Sequence, residues 1–353
     1  MSSEDRLKAT LGRIQTVDSS WIDQARARQL QLTKPRESLG RLEEVANRMA
    51  AIQATLHPSV DKARIVLFAA DHGVCAEGVN PYPQSVTAQM VANFLRGGAA
   101  INALAKVAGV ELEIVDAGVA HDIPETNGLI CRAIARGTDN FCQGPAMTRL
   151  QAIEALILGI DMAERAVADK VTLLGMGEMG IANTTATSAV TAALTGLVPA
   201  LVVGRGTGAD DACMARKRSA VERALALHLE HIHTPLDLLT RLGGFEIGAM
   251  CGLCIGAAAA RCAVLVDGFI ATAAAALAVQ FKKGVRDYLF PAHRSTEPGQ
   301  VPLLEMIGHR PLLDMEMRLG EGTGAALAVP VMRAAVAAFT GMATFESAGV
   351  SEA

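Results

Sequence analysis

The sequence predicts an α/β protein: a parallel sheet flanked by helices, Rossmann-like, with a small helical domain formed from both chain ends. Three observations carry this reading. From Arg64 onward the chain falls into short apolar runs, each ending in glycine, aspartate or histidine, with helical segments between most of them. Those runs are continuous rather than alternating, which suits strands buried on both faces of a parallel sheet. Both chain ends instead carry helical periodicity. The large domain is accordingly placed at 56–315, and the small one at 1–55 plus 316–353.

The first 55 residues read as helix. Trp21, Ala25, Leu30 and Leu32 recur at near-helical spacing, and Leu39, Leu42, Val45, Ala46 and Met49 mark a second amphipathic helix. Thr33-Lys34-Pro35-Arg36 breaks the pattern between them. The strand candidates are Ile65–Ala70, Leu112–Val115, Val171–Leu174, Leu201–Val203, Cys262–Val266 and Tyr288–Phe290. In such sheets ligands sit beyond the carboxyl ends of the strands, where the unusual residues of this chain collect. The C-terminal helix, about Gly324 to Met342, is apolar on nearly every face and must be buried. The N-terminal helical region is its expected partner.

Hydrophobic residues make up 51% of the 353 positions but aromatics only 3%. Alanine and glycine supply much of the difference, which predicts elements packed closely through small side chains. The net charge of -4 and the lack of a long basic run argue against nucleic acid or anionic membrane as partner. Seven scattered cysteines fit reduced thiols in a cytoplasm better than a disulfide framework. The stretch Met1 to Arg28 lacks the apolar core of a signal peptide. The greasiest stretch, Ala249 to Gln280, is broken by Arg261 and Asp267, and Thr323 to Phe339 is short and carries Arg333. Neither reaches the roughly 18 uninterrupted apolar residues of a membrane span. The expectation is a soluble cytoplasmic protein.

The strongest local signal runs from Val171 to Thr185: a strand, a glycine-rich turn at Gly175-x-Gly177-x-x-Gly180, a polar cap, then the helix Ala186 to Leu194. Glycines let backbone amides approach an anion, and a helix N-terminus adds partial positive charge. Asn183 or Thr184 is positioned to cap the helix and to bond a phosphate oxygen. The glycine spacing also matches the dinucleotide fingerprint, but the acidic residue that should close the next strand is replaced by Gly204-Arg205-Gly206-Thr207-Gly208. A tight strand–helix turn would look the same. After this second loop, Asp210 and Asp211 read as helix-capping residues ahead of the helix Ala212 to His231, with metal binding the alternative. Lys217 is placed to fold back toward an anion held by the loops.

Asp71 and His72 close the first strand, a cleft position that a capping aspartate would equally occupy. Asn80 to Thr87 forms a proline-fixed loop offering an aromatic ring and amides to a flat heterocycle; a plain surface loop fits the same pattern. Glu321 lies between Gly320 and Gly322 just before an apolar helix. A helix-start carboxylate explains its charge, but flanking glycines permit close approach of a ligand. Burial there would raise its pKa, as suits a general base. Cys251-x-x-Cys254 reads as buried thiols on a helix, and His228, His231 and His233 as complements to a helix C-terminus. Gly243-Gly244-Phe245-Glu246 and His293-Arg294-Ser295 are loop candidates that pattern alone does not assign. No convincing metal-ligand set appears, and no cofactor is called for.

In their order, these motifs resemble the nicotinate-nucleotide:dimethylbenzimidazole phosphoribosyltransferase family. The landmarks are Lys34-Pro35 with Ser38 to Glu43, Ala70 to Val74, Gly144 to Met147, Gly177 to Thr185, Gly243 to Glu246, Asp267-Gly268-Phe269, and Arg318 to Ala326. They span positions 34 to 326. Each is modest alone; the ordered set is specific. The resemblance implies a homodimer, a large α/β domain with a small helical one, and no metal or cofactor. It implies transfer of the 5-phosphoribosyl group from nicotinate mononucleotide to 5,6-dimethylbenzimidazole, giving α-ribazole 5'-phosphate and nicotinate for cobalamin assembly. It makes Glu321 the general base. Glu178, Gly180, Ile181, Ala182, Asn183 and Thr184 would surround the nucleotide and its phosphate, completed by Gly204, Arg205, Gly206 and Lys217. Asp71, Tyr82, Gln84, Ser85, Gln89, Met317 and Leu319 would line the benzimidazole pocket. An NAD-dependent oxidoreductase, resting on the glycine spacing, and a non-catalytic nucleotide-binding homologue are the rival readings.

Overall fold

The computed structural model describes residues 2–123 and 127–351. Three helices open the chain: α1 (Ser3–Arg13), α2 (Ser19–Gln31) and α3 (Arg41–Gln53). Strand β1 (Ala63–Ala70) is followed by α4 (Val86–Leu95), α5 (Ala100–Ala108), β2 (Glu111–Gly118) and β3 (Leu129–Cys131). Then come α6 (Arg149–Ala168), β4 (Leu173–Met179), α7 (Asn183–Thr195), α8 (Pro199–Val202), α9 (Asp211–His228), α10 (Pro235–Leu242) and α11 (Phe245–Ala259). The remainder is β5 (Ala263–Val266), α12 (Phe269–Phe281), β6 (Leu289–Pro291), β7 (His293–Arg294), α13 (Gln300–Ile307), β8 (Leu313–Asp314), α14 (Thr323–Gly341) and α15 (Phe345–Ala348).

Six strands form one sheet in the order β3-β2-β1-β4-β5-β6, every neighbouring pair parallel. This is the doubly wound order whose direction of winding reverses between β1 and β4. All eight residues of β1 are buried, which is why its run is continuously apolar. The expectation at Leu201–Val203 is corrected: Pro199 opens the single-turn helix α8 there, and Val203 is its extended cap. Pro at the first helical position is preorganised for helix, and a three-residue apolar run does not by itself demand a ladder. The short strands β3, β7 and β8 went unseen because two or three residues carry no period.

The low aromatic content has its explanation in α6 and α11. A Cβ on Gly252 would fall on the backbone carbonyl of Leu156, one on Gly159 on that of Ala249, and one on Gly256 on Ala163 and Ile160. The two helices therefore approach backbone to backbone, and α11 is buried almost throughout. Helix α14 is long and apolar enough, by length and composition, to cross a membrane. Here it packs against α3 and α5 and against β1, β4 and β5. The chain ends also meet directly, through an antiparallel bridge between Leu32 and Thr344 and the bond from Thr33 N–H to the Ala343 carbonyl at 3.1 Å.

Adding one methyl group should separate the two kinds of glycine. Gly252→Ala is expected to lose about 1–3 kcal/mol of stability through overpacking. Gly12→Ala, in α1 with nothing within 4 Å of the added carbon, should gain up to about 0.5 kcal/mol. Urea denaturation of both variants checks this; a neutral Gly252→Ala would contradict the close approach.

Candidate active site

The strands end on one side of the sheet, and there a cavity of about 390 Å³ opens. Its wall is assembled from the segments that follow successive strands. After β1 come Asn80, Tyr82 and the α4 face Val86/Met90; after β4, Glu178 to Ile181 with Asn183 and Thr184. Gly206 and Thr207 follow, then Gly268 to Ala271 after β5, then His293, Ser295 and Glu297 after β6. Arg318 to Glu321, just before α14, completes the wall.

The glycine-rich turn expected at Gly175 to Gly180 is corrected. Gly175 and Gly177 lie inside β4, which runs on to Met179. A Cβ on Gly177 would come within 2.5 Å of the Glu321 carbonyl oxygen, and one on Gly175 would press on Ile65 and Ala325. These glycines let the segment before α14 lie on the sheet; they do not cradle a ligand. The dinucleotide fingerprint, and the oxidoreductase reading that rested on it, therefore loses its basis. Only Gly180 stands at the turn, held against the Ala70 carbonyl.

That segment carries Glu321. Gly320, Glu321 and Gly322 all adopt the left-handed region, with φ of 84°, 63° and 84°. For glutamate this conformation costs of the order of 1–3 kcal/mol and persists only where the surroundings impose it. Asp267, at the end of β5, imposes it: its Oδ2 accepts from Gly322 N–H at 3.1 Å and its Oδ1 from Ala325 N–H at 2.9 Å. A buried carboxylate thus caps α14 from the sheet and fixes the direction in which Glu321 leaves it. Glu321 is 6% exposed, and its Oε2 has no hydrogen-bond partner. Burial raises its pKa, the Ile101 amide opposes this, and Asp267 adds to it.

Asn183 and Thr184 do not cap α7, as the sequence had led one to expect. The cap residue is Ala182, at φ 76°, without a side-chain bond. Asn183 instead donates from Nδ2 to Glu178 Oε2, and Thr184 Oγ1 accepts from Lys217 Nζ at 3.0 Å. The first amides of α7 are consequently free of side-chain competition at the cavity edge. Lys217 does fold back, as its position in α9 foretold: it is 2% exposed, and its second partner is the Gly204 carbonyl at 3.0 Å. Burial lowers its pKa, while Glu297 pulls the other way. A buried ammonium whose bonds go to a hydroxyl and a carbonyl is well disposed toward an anion. Glu178 is the opposite case. Burial pushes its carboxyl up to about 8, Asn183 opposes this, and Asp267, Glu246 and Glu321 reinforce it.

Of the other expected residues, Tyr82, Ile181, Gly206 and Leu319 line the cavity. Gly204 and Arg205 sit behind it, Arg205 bonded to Asp211 at 2.6 Å and to the Ala209 carbonyl. Asp71 lies beneath, accepting from Thr87 Oγ1 at 2.6 Å; that hydroxyl accepts in turn from Ile181 N–H at 3.1 Å. Asp71 therefore braces the loop above it. Gln84 donates to the His72 carbonyl, Ser85 precedes α4, Gln89 is exposed on that helix, and the Met317 carbonyl accepts from Thr296. His72 pairs with Glu246 at 2.7 Å, both wholly buried; burial disfavours the imidazolium, but Glu246 outweighs it and the pKa is raised. Asp210 caps α9 through Cys213 N–H at 2.7 Å, as expected. Cys251 and Cys254 are buried with thiol pKa values pushed up by burial. His228 is corrected: it is buried against the Phe141 carbonyl at 2.8 Å, and burial lowers its pKa, so it is no charged helix-end complement.

Unforeseen in the wall are Met90, Phe269, Ile270 and Glu297, whereas Val86 and Arg318 fall within the stretches expected to line the base pocket. Helical spacing from Val86 to Met90 and the strand-end position of Gly268 were the available signals. Among the described residues, no three His, Cys, Asp or Glu side chains gather as metal ligands.

A switch-point cavity with an uncommitted buried carboxylate in its wall and the buried Lys217 bonded to Thr184 behind it marks a group-transfer site on a doubly wound sheet. The phosphoribosyltransferase family model matches residues 14–350, and the chain belongs to that family. A Geobacter sulfurreducens relative, named nicotinate-nucleotide–dimethylbenzimidazole phosphoribosyltransferase, is 50% identical over 98% of each chain. A Thermus thermophilus relative of the same name is also 50% identical, over 95% of this chain and 99% of its own. The crystal structure of CobT from Thermus thermophilus superposes with a TM-score of 0.91, covering 95% of this chain and 100% of that one at 50% identity.

Glu178 supplies a test of the electrostatics. The unfolded chain releases its proton near 4.5 and the folded chain near 8, so between these values the unfolded state binds fewer protons. Stability should therefore fall as pH rises through this window, and Glu178→Gln should flatten the dependence. Infrared difference titration against that variant should place the carboxyl near 8. Titration near 4.5 would contradict the buried, like-charged setting.

Proposed function

We propose that this chain transfers the phosphoribosyl group of nicotinate mononucleotide to 5,6-dimethylbenzimidazole, giving α-ribazole 5'-phosphate and nicotinate. The observation that carries the reading is the Glu321 carboxylate, held in the cavity wall with one oxygen free of protein partners. Its relatives' printed activity, at 50% identity over nearly the whole chain, supplies the substrates.

The substrate's phosphate is taken beside the start of α7 and the Gly204–Gly206 loop, next to the buried ammonium of Lys217. Tyr82, Val86, Met90 and Leu319 offer the flat base an apolar slot. One ring nitrogen of the base attacks C1', and the bond from C1' to the pyridinium nitrogen breaks, its electron pair returning to that nitrogen. Nicotinate thus leaves without needing an acid. The other ring nitrogen, made acidic by the new bond, gives its proton to Glu321. Positive charge develops on the ribose meanwhile, and the acidic wall favours it. The same reading includes a homodimer in the cytoplasm. Free thiols at all seven cysteines suit that compartment, and exposed Val198 and Leu201 beside α8 offer apolar surface to a second copy.

Incubation with both substrates and chromatography for α-ribazole 5'-phosphate tests the reaction. Glu321→Gln should lower turnover about 10²–10⁴-fold with nucleotide binding kept. The wild-type rate should fall on acidification along a limb lying above 4.5, absent in that variant. Turnover within a few-fold of wild type would remove Glu321 from the role. Lys217→Met should weaken nicotinate mononucleotide binding roughly 10- to 100-fold; unchanged affinity by calorimetry would free Lys217 of the phosphate.

A further inference from the structure

We propose that His293 and Glu297 form the clamp that reads the ribose hydroxyls of the nucleotide, making the pocket specific for a ribosyl over a deoxyribosyl donor. This inference rests on the phosphoribosyl-transfer reading and deepens it.

Both residues stand in the cavity wall, and the reaction as described gives neither a task, although His293 Nε2 lies 3.9 Å from Asp267 Oδ1. His293 is 1% exposed and Glu297 6%. Neither ring nitrogen of His293 has a hydrogen-bond partner, and neither has Glu297 Oε2. Buried polar atoms left unpaired are costly, and a cluster of them in a cavity wall calls for a ligand with matching groups. The set is well matched to a vicinal diol. A carboxylate oxygen only accepts, a neutral imidazole offers one donor and one acceptor, and each ribose hydroxyl both donates and accepts.

The segment is built for this rather than left loose. Gln300, itself wholly buried, accepts from Ser295 N–H at 2.6 Å and donates to the His293 carbonyl at 3.0 Å and to Thr272 Oγ1 at 3.1 Å. It ties the strap between His293 and Glu297 to α12. Glu297 Oε1 accepts from Gly206 N–H at 2.8 Å, so the clamp is joined to the loop assigned to the phosphate. Gly204 has room for that carboxylate only because it lacks a Cβ, and Gly268 and Gly324 flank the imidazole in the same way. Phosphate and ribose of one nucleotide are thus read by two parts of a single braced unit, which holds the reacting carbon still.

The test is calorimetric affinity for nicotinate mononucleotide and its 2'-deoxy and 3'-deoxy analogues, without acceptor base. Wild type should bind at least one analogue roughly 10- to 100-fold more weakly than the parent. In Glu297→Gln and His293→Gln the parent should weaken by a similar factor, and the gap between parent and analogue should shrink to a few-fold. A structural role alone would weaken parent and analogues equally and leave the gap intact, which would overturn the proposal. Wild type binding all three alike would overturn it too, and needs no variant to fold. If wild type binds no nicotinate mononucleotide at all, the transfer reading itself fails and the clamp falls with it.

Discussion

The site depends on one buried carboxylate. Asp267 closes β5 and holds the amides of Gly322 and Ala325, so a residue of the sheet decides where α14 begins. Everything upstream of that helix start is forced by it. The turn must pass over β4, which demands glycine at 177, α14 presses on Gly175 through Ala325, and the chain must reverse through three left-handed residues, two of them glycine. The non-glycine among the three is Glu321. A glutamate kept in that conformation has a fixed side-chain direction, and here the direction is into the cavity wall. Strain stored in the turn is offset by the two hydrogen bonds to Asp267, whose pKa burial raises.

The second constraint is electrostatic. Glu178, Glu297 and Glu321 line the cavity with Asp267 beneath them, an arrangement that would repel itself if all were ionised. The protein resolves this unequally. Glu178, hydrogen-bonded to Asn183 and crowded by three carboxylates, keeps its proton to about pH 8. Asp267 is surrounded by amides and has His293 Nε2 at 3.9 Å. Lys217 stands on the far side of the Gly204–Gly206 backbone, drawing an anion to that end. Lys217 and Arg318 bond the carbonyls of Gly204 and Gly206, where the Glu297 carboxylate also sits, while Glu178 and Glu321 line the wall where positive charge would develop on a sugar. Two oppositely charged regions of one small molecule can be oriented by such a field before any chemistry begins.

How much of this could be read in the sequence depended on the length of the signal. The strands β1, β5 and β6 announced themselves because burial on both faces leaves a continuous apolar run, whereas β2 showed only its Leu112–Val115 stretch and β4 only its first two residues. α14 announced itself because a helix apolar all round must be covered. Glu321 and Lys217 were legible from their neighbours, glycines in one case and a glycine loop with a helix start in the other. The glycines of β4 misled: spacing cannot distinguish a glycine that admits a phosphate from one that admits another stretch of the same chain. Leu201–Val203 misled because three apolar residues are too few to show a period. His293 and Glu297 were invisible in their role, since the partner that defines them, Gln300 bracing a strap against α12, is a tertiary contact with no local pattern.

The central claim is that Asp267 acts on the reaction by presenting Glu321. A double-mutant cycle in product formation tests it most directly, comparing Asp267→Asn, Glu321→Gln and the two together. Asparagine keeps one acceptor for the two amides but turns the other into a donor. If Asp267 works through Glu321, Asp267→Asn should be slow on its own, and the double variant should be no slower than Glu321→Gln within about two-fold. If the two losses multiply instead, Asp267 has a role independent of that turn and the account is wrong at its centre.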